Sequence, residues 1–194
     1  LPVDEDEHGT YIMNSKDQCL VDYLPEMAKA GIISFKIEGR SKTVNYLAGV
    51  GRGYRKALTA VESGNEYDVE AAIKELNAIS HRSYTPGFLT GDLGKNSMDF
   101  DKRDEYRAEE FIGIVREYDE SRKMARIEVK GRIDAGTEYR VINPDDEFFY
   151  TVDTIEHPKK GSVTEAHPGD LDVWINMPTN PGEFGIMRKV LPVA

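Results

Sequence analysis

Cysteine is nearly absent from this chain: its 194 residues include only one, Cys19. One thiol cannot close an internal disulfide, which excludes the framework of a small secreted, disulfide-rich domain. A reducing interior is the expected setting, and we predict a cytoplasmic location. Because Cys19 precedes a leucine and a valine, its simplest interpretation is a small buried side chain.

Long hydrophobic runs are missing as well. The apolar runs extend over a few residues only, too few to cross a bilayer, so no membrane association is expected. Residues 1–7 are acidic where a secretory signal would be positive. The first residue is Leu1 instead of methionine, which indicates a fragment or a processed piece. The length suffices for one or two domains with cores of their own.

Motifs of self-sufficient catalysis are also lacking. The chain contains no G-x-S-x-G, no H-E-x-x-H and no paired cysteines with metal-ligand spacing. Two of the four histidines, His157 and His167, stand before prolines in predicted turns, a position that favours a structural role. The sequence therefore indicates no complete active site within these residues.

Positive charge is scarce overall but concentrated in one window. The net charge is -10, which argues against a general nucleic-acid coat. Residues 36–56 nevertheless carry a local charge of +5, with Glu38 as the one acid. This asymmetry predicts an anionic ligand. The six basic residues of the window are Lys36, Arg40, Lys42, Arg52, Arg55 and Lys56.

The window opens on an alternating segment. Residues 33–38 alternate apolar and polar side chains, the pattern of a half-buried strand, and Gly39 then ends it. Lys36 and Glu38 would leave this strand on one face and are the candidate catalytic residues. Ligands collect at the carboxyl ends of strands in α/β folds. The alternative is a solvated strand end with an ordinary glycine.

Helix signals occupy most of the first half. Ser15 and Gln18 have capping-box spacing before a predicted turn that ends near residue 21. Three helices are then expected: residues 25–30 closed by Gly31, residues 42–62 capped by Ser41, and one that begins after Asp68. With a strand at residues 10–13, the order β-α-β-α-α predicts parallel strands with helical crossovers. Because two strands cannot bury these helices, residues 1–89 are interpreted as the tail of a larger α/β domain.

The long helix has an expected apolar stripe and three glycines. The stripe contains Val44, Leu47, Gly51, Tyr54, Leu58 and Val61. Close packing against a sheet is expected to offset the cost of the glycines, with the basic side chains off the stripe.

A His-Arg pair follows the last of these helices. His81 and Arg82 precede a Pro-Gly turn that Tyr84 and Phe88 flank. Such a group could hold a phosphate or stack on a base. The alternative is an ordinary helix exit with a satisfied histidine.

The second half of the chain has a different sequence pattern. Residues 90–105 show no period and are interpreted as a linker, with a domain boundary near residue 105. Residues 106–194 predict a small all-β barrel or sandwich, with Trp174 in its core or at its mouth. The expected strands cover residues 111–118, 124–130, 138–142, 148–155, 162–165, 171–177 and 184–190.

Five segments together resemble the collagenase-like peptidases, peptidase family U32, whose catalytic type is unassigned. They are residues 9–17, 35–42, 54–57, 81–82 and 85–88. The resemblance covers essentially the whole chain. It implies an α+β protein: the last part of a TIM-type barrel domain followed by the C-terminal β-barrel of the family. That β-barrel is similar to the second domain of translation elongation factors, an analogy of fold only.

The resemblance implies several activities. Some members are called proteases or collagenases, others act in hydroxylation of the tRNA wobble uridine with a prephenate requirement, and others in ubiquinone hydroxylation. Several carry an iron–sulfur cluster on four cysteines. Residues 11–17 and 81–89 are most similar to the tRNA-hydroxylation branch. The resemblance makes Cys19 a candidate cluster ligand in an intact parent, with the other ligands upstream, and no cofactor is expected in this chain alone.

Three functions stay open at this point: the C-terminal part of a tRNA-hydroxylating protein that binds substrate or RNA, a peptidase, or a non-catalytic interaction module. The expected partner is tRNA or an anionic small molecule, and the oligomeric state is not determined. The candidate binding residues are Asn14, Lys16, Arg40, Lys42, Arg52, Arg55, His81 and Arg82.

Overall fold

The computed structural model describes residues 3–6, 9–12, 14–64, 68–91, 98–99 and 108–192. Its contacts divide the chain into one unit of residues 1–42 and 49–107 and another of residues 43–48 and 108–194. The predicted linker and boundary fall mostly outside the described residues, so the domain limits stay a prediction. Among the helices described, none is both long and apolar enough to cross a membrane.

The first unit combines helices with short strand pairs. Strands β1 and β2 form an antiparallel hairpin, β3 pairs antiparallel with β6, and β4 pairs parallel with β5. The helices are α1 Leu24–Lys29, α2 Val44–Ser63 and α3 Val69–Asn77, with 3₁₀ turns at Val21–Tyr23 and Gly87–Thr90. The strands are β1 Val3–Asp6, β2 Gly9–Ile12, β3 Asn14–Ser15, β4 Asp17–Gln18, β5 Tyr84–Thr85 and β6 Met98–Asp99.

Two of the predicted helix ends are confirmed and one is displaced. Asp68 caps α3 by accepting the Ala71 N–H at 2.9 Å, and Gly31 follows α1 with φ +89°. Helix α2 is capped by Thr43, whose Oγ1 accepts the Tyr46 N–H at 3.2 Å. Ser41 does not begin the helix, because the next amide, that of residue 42, bonds back to the Gly39 carbonyl in a turn.

The capping box predicted at Ser15 and Gln18 is wrong, because both residues lie in strands. The Asp17 N–H donates to the Ser83 carbonyl at 3.0 Å, and the Cys19 N–H donates to the Thr85 carbonyl at 2.9 Å. These long-range backbone bonds replace the local cap. Strand pairing across the fold thus overrides the helix signal.

The strand predicted at residues 33–38 is also wrong. The structure assigns no strand to this segment, and Ile33 is 97% exposed. A strand needs a neighbour for its backbone hydrogen bonds, and none lies beside these residues in the described part of the chain. Gly39 and Arg40 therefore do not stand at the carboxyl end of a paired strand here.

The apolar stripe predicted for α2 is rotated away from the face that the structure buries. Val44 and Leu47 are 53% and 44% exposed. The first unit instead buries Val50, Gly53 and Ala57. A Cβ on Gly53 would lie 3.4 Å from both a carbonyl oxygen and a leucine methyl of α3. The glycine thus permits close contact with a helix, where contact with a sheet was expected.

The second unit is built on one antiparallel sheet of eight strands in the order β11-β10-β16-β7-β8-β15-β12-β13, together with the short pair β9–β14. This sheet curls into a half-barrel, with β11 and β13 as its terminal strands. The strands are β7 Glu109–Asp119, β8 Met124–Val129, β9 Ile133–Asp134, β10 Thr137–Ile142, β11 Glu147–Val152, β12 Ile155–His157, β13 Gly161–Val163, β14 Glu165–Ala166, β15 Val173–Asn176 and β16 Ile186–Val190.

Most strand signals of the second half are confirmed, but β9 was not predicted, and residues 162–165, predicted as one strand, fall across β13 and β14. The segment predicted as one strand at residues 148–155 is divided into β11 and β12. The Asn176 side-chain oxygen accepts the N–H groups of both Asp153 and Thr154, each at 2.8 Å, at the break between them. Trp174 lies half-buried on the outer face of β15, because its neighbours Val173 and Ile175 are fully buried inside. The likenesses to a TIM-barrel tail and to elongation factors stay predictions.

Both faces of this sheet carry apolar clusters. The inner face holds the main core, which includes Ile112, Ile127, Tyr139, Val152, Ile155, Val173, Ile175 and Met187. On the outer face, Ile114, Ile142 and Ile186 form a smaller cluster. Ala48, in the part of α2 that belongs to this unit, packs against that cluster.

A buried ionic network lies beside the smaller cluster. Arg188 is 0% exposed; its Nε donates to Asn45 Oδ1 at 2.8 Å and its Nη1 to Glu109 Oε2 at 3.3 Å. Glu109 also accepts a hydrogen bond from Arg140 at 2.8 Å. Glu147, more exposed, bonds to Arg140 at 2.6 Å. The network compensates the burial of two guanidinium groups.

Tyr150 offers a test of the core. Its hydroxyl is buried without a described hydrogen-bond partner, and burial raises its pKa. Tyr150→Phe should leave the free energy of unfolding unchanged or raise it by up to about 1 kcal/mol, because no hydrogen bond is lost. Tyr139→Phe is the control, since the Tyr139 hydroxyl accepts the Asp134 N–H at 2.8 Å, and it should cost about 1 kcal/mol. Urea unfolding measures both, and a larger loss for Tyr150→Phe would contradict the expectation.

Candidate functional site

Asp17 is the centre of the candidate site. Its carboxylate, on β4, is 7% exposed. Arg82 donates to it three times: the backbone N–H to Oδ2 at 3.2 Å, and Nε and Nη2 to Oδ1 at 3.1 and 2.7 Å. The Lys42 ammonium lies 3.6 Å from Oδ2. One carboxylate thus holds two cations that are distant from it in sequence.

The electrostatics of this group keep Asp17 ionised. Burial alone would raise the pKa of the carboxyl, but the hydrogen bonds from Arg82 and the charge of Lys42 outweigh it and lower the pKa below its usual value. The two cations remain open to solvent, since the side chains of Arg82 and Lys42 are 40% and 34% exposed. The group presents a net positive charge on an anchored frame. Such a frame suits an anion.

His81 adjoins this cationic pair. The ring stacks on Tyr84 with centroids 4.0 Å apart and planes 6° apart, and its Nδ1 lies 2.6 Å from the Arg82 carbonyl oxygen. Since a carbonyl can only accept, Nδ1 carries the hydrogen. Burial lowers the pKa of the imidazole, so the ring is neutral at pH 7. Tyr84 donates its hydroxyl to the Leu76 carbonyl at 3.0 Å, which holds the stack in place.

The lowered His81 pKa predicts a pH dependence of stability. An unfolded histidine takes up a proton near its ordinary pKa of 6.5, whereas the folded ring resists it. The unfolded state then binds more protons, so the contribution of His81 should be complete above that pH and fall as the pH drops below it. His81→Phe, which keeps the stack, should flatten the curve.

The free energy of unfolding between about pH 7 and pH 5 measures this effect. Tyr84→Phe is the control: it loses the bond to the Leu76 carbonyl and should lower stability evenly across the range. An unchanged slope in His81→Phe would contradict the assignment.

Cys19 packs beside an aromatic hydroxyl. Its Sγ lies 3.6 Å from the Tyr54 hydroxyl, which also accepts the Leu20 N–H at 3.0 Å. Burial raises the pKa of the thiol, which favours the neutral form over a metal-binding thiolate. One cysteine supplies one of the four ligands a cluster needs, and the described residues contain no group of three potential metal ligands. The residues of this chain therefore do not fit an iron–sulfur cluster.

Arg52 turns inward instead of outward. Its Nε donates to Glu75 Oε1 at 3.2 Å, and the two side chains are 3% and 5% exposed. Lys56 lies 3.7 Å from the same oxygen. A phosphate could reach Arg52 only if this buried ion pair opened. The structure thus places Arg52 in the packing of the first unit.

The remaining predicted site residues are not brought into the group around Asp17 by a described hydrogen bond or ion pair. Glu38 accepts the Arg40 N–H at 3.0 Å and so closes the turn before α2. Lys36, Arg40 and Arg55 are exposed, Lys16 is half-buried, and the side chain of Asn14 lies outside the described residues. Their catalytic or binding roles stay predictions.

Sequence reasoning missed the anchor of the site. It named His81, Arg82 and Lys42 but not Asp17, because 65 residues separate Asp17 from Arg82. It also missed Tyr84 as the stacking partner of the histidine. The signal available was the position of Asp17 in residues 9–17, one of the segments that carry the family resemblance.

Several curated proteins are similar to this chain. The tRNA hydroxylation protein P of Escherichia coli is 34% identical over 177 residues, which cover 90% of this chain and 38% of that protein. The tRNA hydroxylation protein P1 of Bacillus subtilis is 31% identical over 153 residues, 77% of this chain and 36% of that protein. A collagenase of Porphyromonas gingivalis is 27% identical over 169 residues, 80% of this chain and 46% of that protein. The chain spans less than half the length of each.

A solved structure is similar to part of the chain. It is the C-terminal domain of a protein described as a U32 peptidase from Geobacillus thermoleovorans, with a TM-score of 0.39 and 21% identity over 41% of this chain and 91% of that one. Two family models match in sequence. Peptidase family U32 matches residues 2–99, and the peptidase family U32 C-terminal domain matches residues 107–188. Since these matches cover most of its length, the chain belongs to peptidase family U32.

Proposed function

We propose that this chain is the C-terminal part of a tRNA-modifying protein that acts in hydroxylation of the wobble uridine, and that it contributes RNA binding. Relatives named tRNA hydroxylation proteins, 31–34% identical, support the tRNA-related role. A cytoplasmic location belongs to the same proposal. The peptidase alternative is supported by the collagenase that is 27% identical to this chain. The geometry around Asp17 does not favour this alternative.

The observation that carries the proposal is the pair of cations on Asp17. Arg82 and Lys42 are held by the buried carboxylate while parts of both side chains face solvent. A phosphate that binds them forms charge-assisted hydrogen bonds. It also avoids much of the cost of ordering two long side chains, because Asp17 already orders them. Arg40, exposed two residues before Lys42, would extend the positive surface.

The proposal predicts a defined loss of tRNA affinity. The double variant Lys42→Gln/Arg82→Gln should bind tRNA about tenfold or more weakly, since charged hydrogen bonds are lost. Each lost phosphate contact should reduce the slope of log affinity against log salt by about 1. Fluorescence anisotropy of labelled tRNA at several salt concentrations measures both quantities.

The matched control is Lys74→Gln, which removes an exposed cation from α3 in the same unit. It should leave the affinity and the salt slope close to those of the unaltered chain. Equal losses in both variants would indicate a general charge effect. Wild-type affinity in the double variant would refute the role of the Asp17 group.

A further inference from the structure

The two terminal strands of the eight-stranded sheet differ in how well their open edges are protected from pairing with another chain. Strand β13 has three residues, begins with Gly161 and follows two lysines. Short length and nearby lysines are common ways to prevent a sheet edge from pairing with another chain. Strand β11 has six residues, Glu147–Val152, with no lysine, proline or glycine. Strand β11 therefore keeps the features of an edge that can accept a further strand.

The side chains of β11 divide between its two faces. Glu147, Phe149 and Thr151 are exposed on the outer face. Phe149 is 51% exposed, although phenylalanine is usually buried. On the inner face Tyr150 and Val152 belong to the core, and Phe148 packs against it. An exposed aromatic residue in the middle of an edge strand is well placed to meet a partner strand.

We propose that β11 pairs antiparallel with β11 of a second copy of this chain, about a two-fold axis at Phe149. This register places Phe149 opposite Phe149 of the second copy. It also places Glu147 opposite Thr151 of the second copy, whose hydroxyl can donate to the carboxylate. On the inner face, Phe148 meets Tyr150 of the second copy. Within residues 147–151 every pair is aromatic with aromatic or donor with acceptor, and Val152 falls opposite the exposed Asp146 at the end of the strand.

Other registers are less favourable. A shift by one residue puts the outer side chains of one copy on the inner face of the other. A shift by two in one direction sets Glu147 opposite Asp153 of the second copy, and two like charges repel there. The opposite shift sets the Glu147 carboxylate against the Phe149 ring of the second copy on the outer face, where it meets neither a donor nor an opposite charge. The sequence of β11 is therefore self-complementary in one register, which favours a second copy as the occupant.

The size of the contact sets the expected strength. One pair of six-residue strands is small beside a standard protein interface. Dimerisation should therefore be weak and depend on concentration, with the dimer populated toward high protein concentration. The backbone amides on the open edge of β11 should become more protected from hydrogen exchange as the dimer forms.

Sedimentation velocity of the full chain from low micromolar to near-millimolar protein tests the proposal. Phe149→Lys and Phe149→Glu each place like charges on the two-fold axis and should weaken self-association at least about tenfold. An equimolar mixture of the two variants places opposite charges there and should restore the dimer. The control Leu171→Lys adds the same charge at a site that is 73% exposed and outside the strands, and should dimerise like the unaltered chain.

Three results would overturn the proposal. The first is a chain that stays monomeric at every concentration. The second is a Phe149→Lys variant that dimerises as strongly as the unaltered chain, which would place the contact elsewhere. The third is a mixture of the two charge variants that stays monomeric, which would exclude the register centred on Phe149.

Discussion

Arg188→Ala should lower the free energy of unfolding of the second unit by about 3–5 kcal/mol. The guanidinium is fully buried between Asn45 and Glu109. Its removal leaves the buried Glu109 with one guanidinium fewer and leaves the Asn45 amide oxygen without its donor. Breaking one side of a buried ion pair costs more than the pair contributes, because the remaining charge stays out of water.

The unfolding of this unit can be followed directly. Trp174 is the one tryptophan of the chain and belongs to the second unit, so its fluorescence reports on that unit. The control is Arg116→Ala, which removes an arginine that is 33% exposed and paired with Glu128 on the same sheet. An exposed pair of this kind contributes less than about 1 kcal/mol. Similar losses in the two variants would show that the Arg188 network contributes no more than a surface pair.

Gly113→Val should destabilise the same sheet by about 3 kcal/mol or more, since overpacking even by single methylenes costs about 1–3 kcal/mol. A Cβ at position 113 would lie 2.6 Å from a methyl of Ile127 and 2.8 Å from the Glu128 carbonyl oxygen. The methyl can rotate away, but the carbonyl belongs to the neighbouring strand β8. Relief therefore requires that two hydrogen-bonded strands move apart.

Gly51→Ala is the control, because its expected effect on stability has the opposite sign. A Cβ at position 51 meets no atom within 4 Å, and the residue lies inside helix α2. Alanine there should raise stability by up to about 1 kcal/mol, because it restricts the unfolded chain and favours the helix. Thermal unfolding followed by circular dichroism compares the two. A tolerated valine at position 113 would show that β7 and β8 approach less closely than described.

Local patterns in the sequence determined much of the second unit. Period-two alternation and turn residues predicted most strands of the curled sheet, because successive side chains of a strand point to opposite faces. They failed at residues 153–154, where the side chain of Asn176 on β15 accepts two backbone N–H groups and divides the predicted strand. Asp68 and Gly31 marked helix ends for the same local reason. The motif residues also sufficed for the family resemblance.

Only the tertiary structure decided the candidate site. The sequence predicted a strand at residues 33–38, but a strand forms only beside another, and the described chain brings none there. The sequence likewise placed Arg52 among the exposed cations, whereas the structure pairs it with Glu75 in the interior. Lys42 and Arg82 were recognised as basic residues, but their common anchor, Asp17, was not. Hydrogen bonds and ion pairs between residues far apart in the chain leave no periodic signal, so they become visible only once the chain is folded.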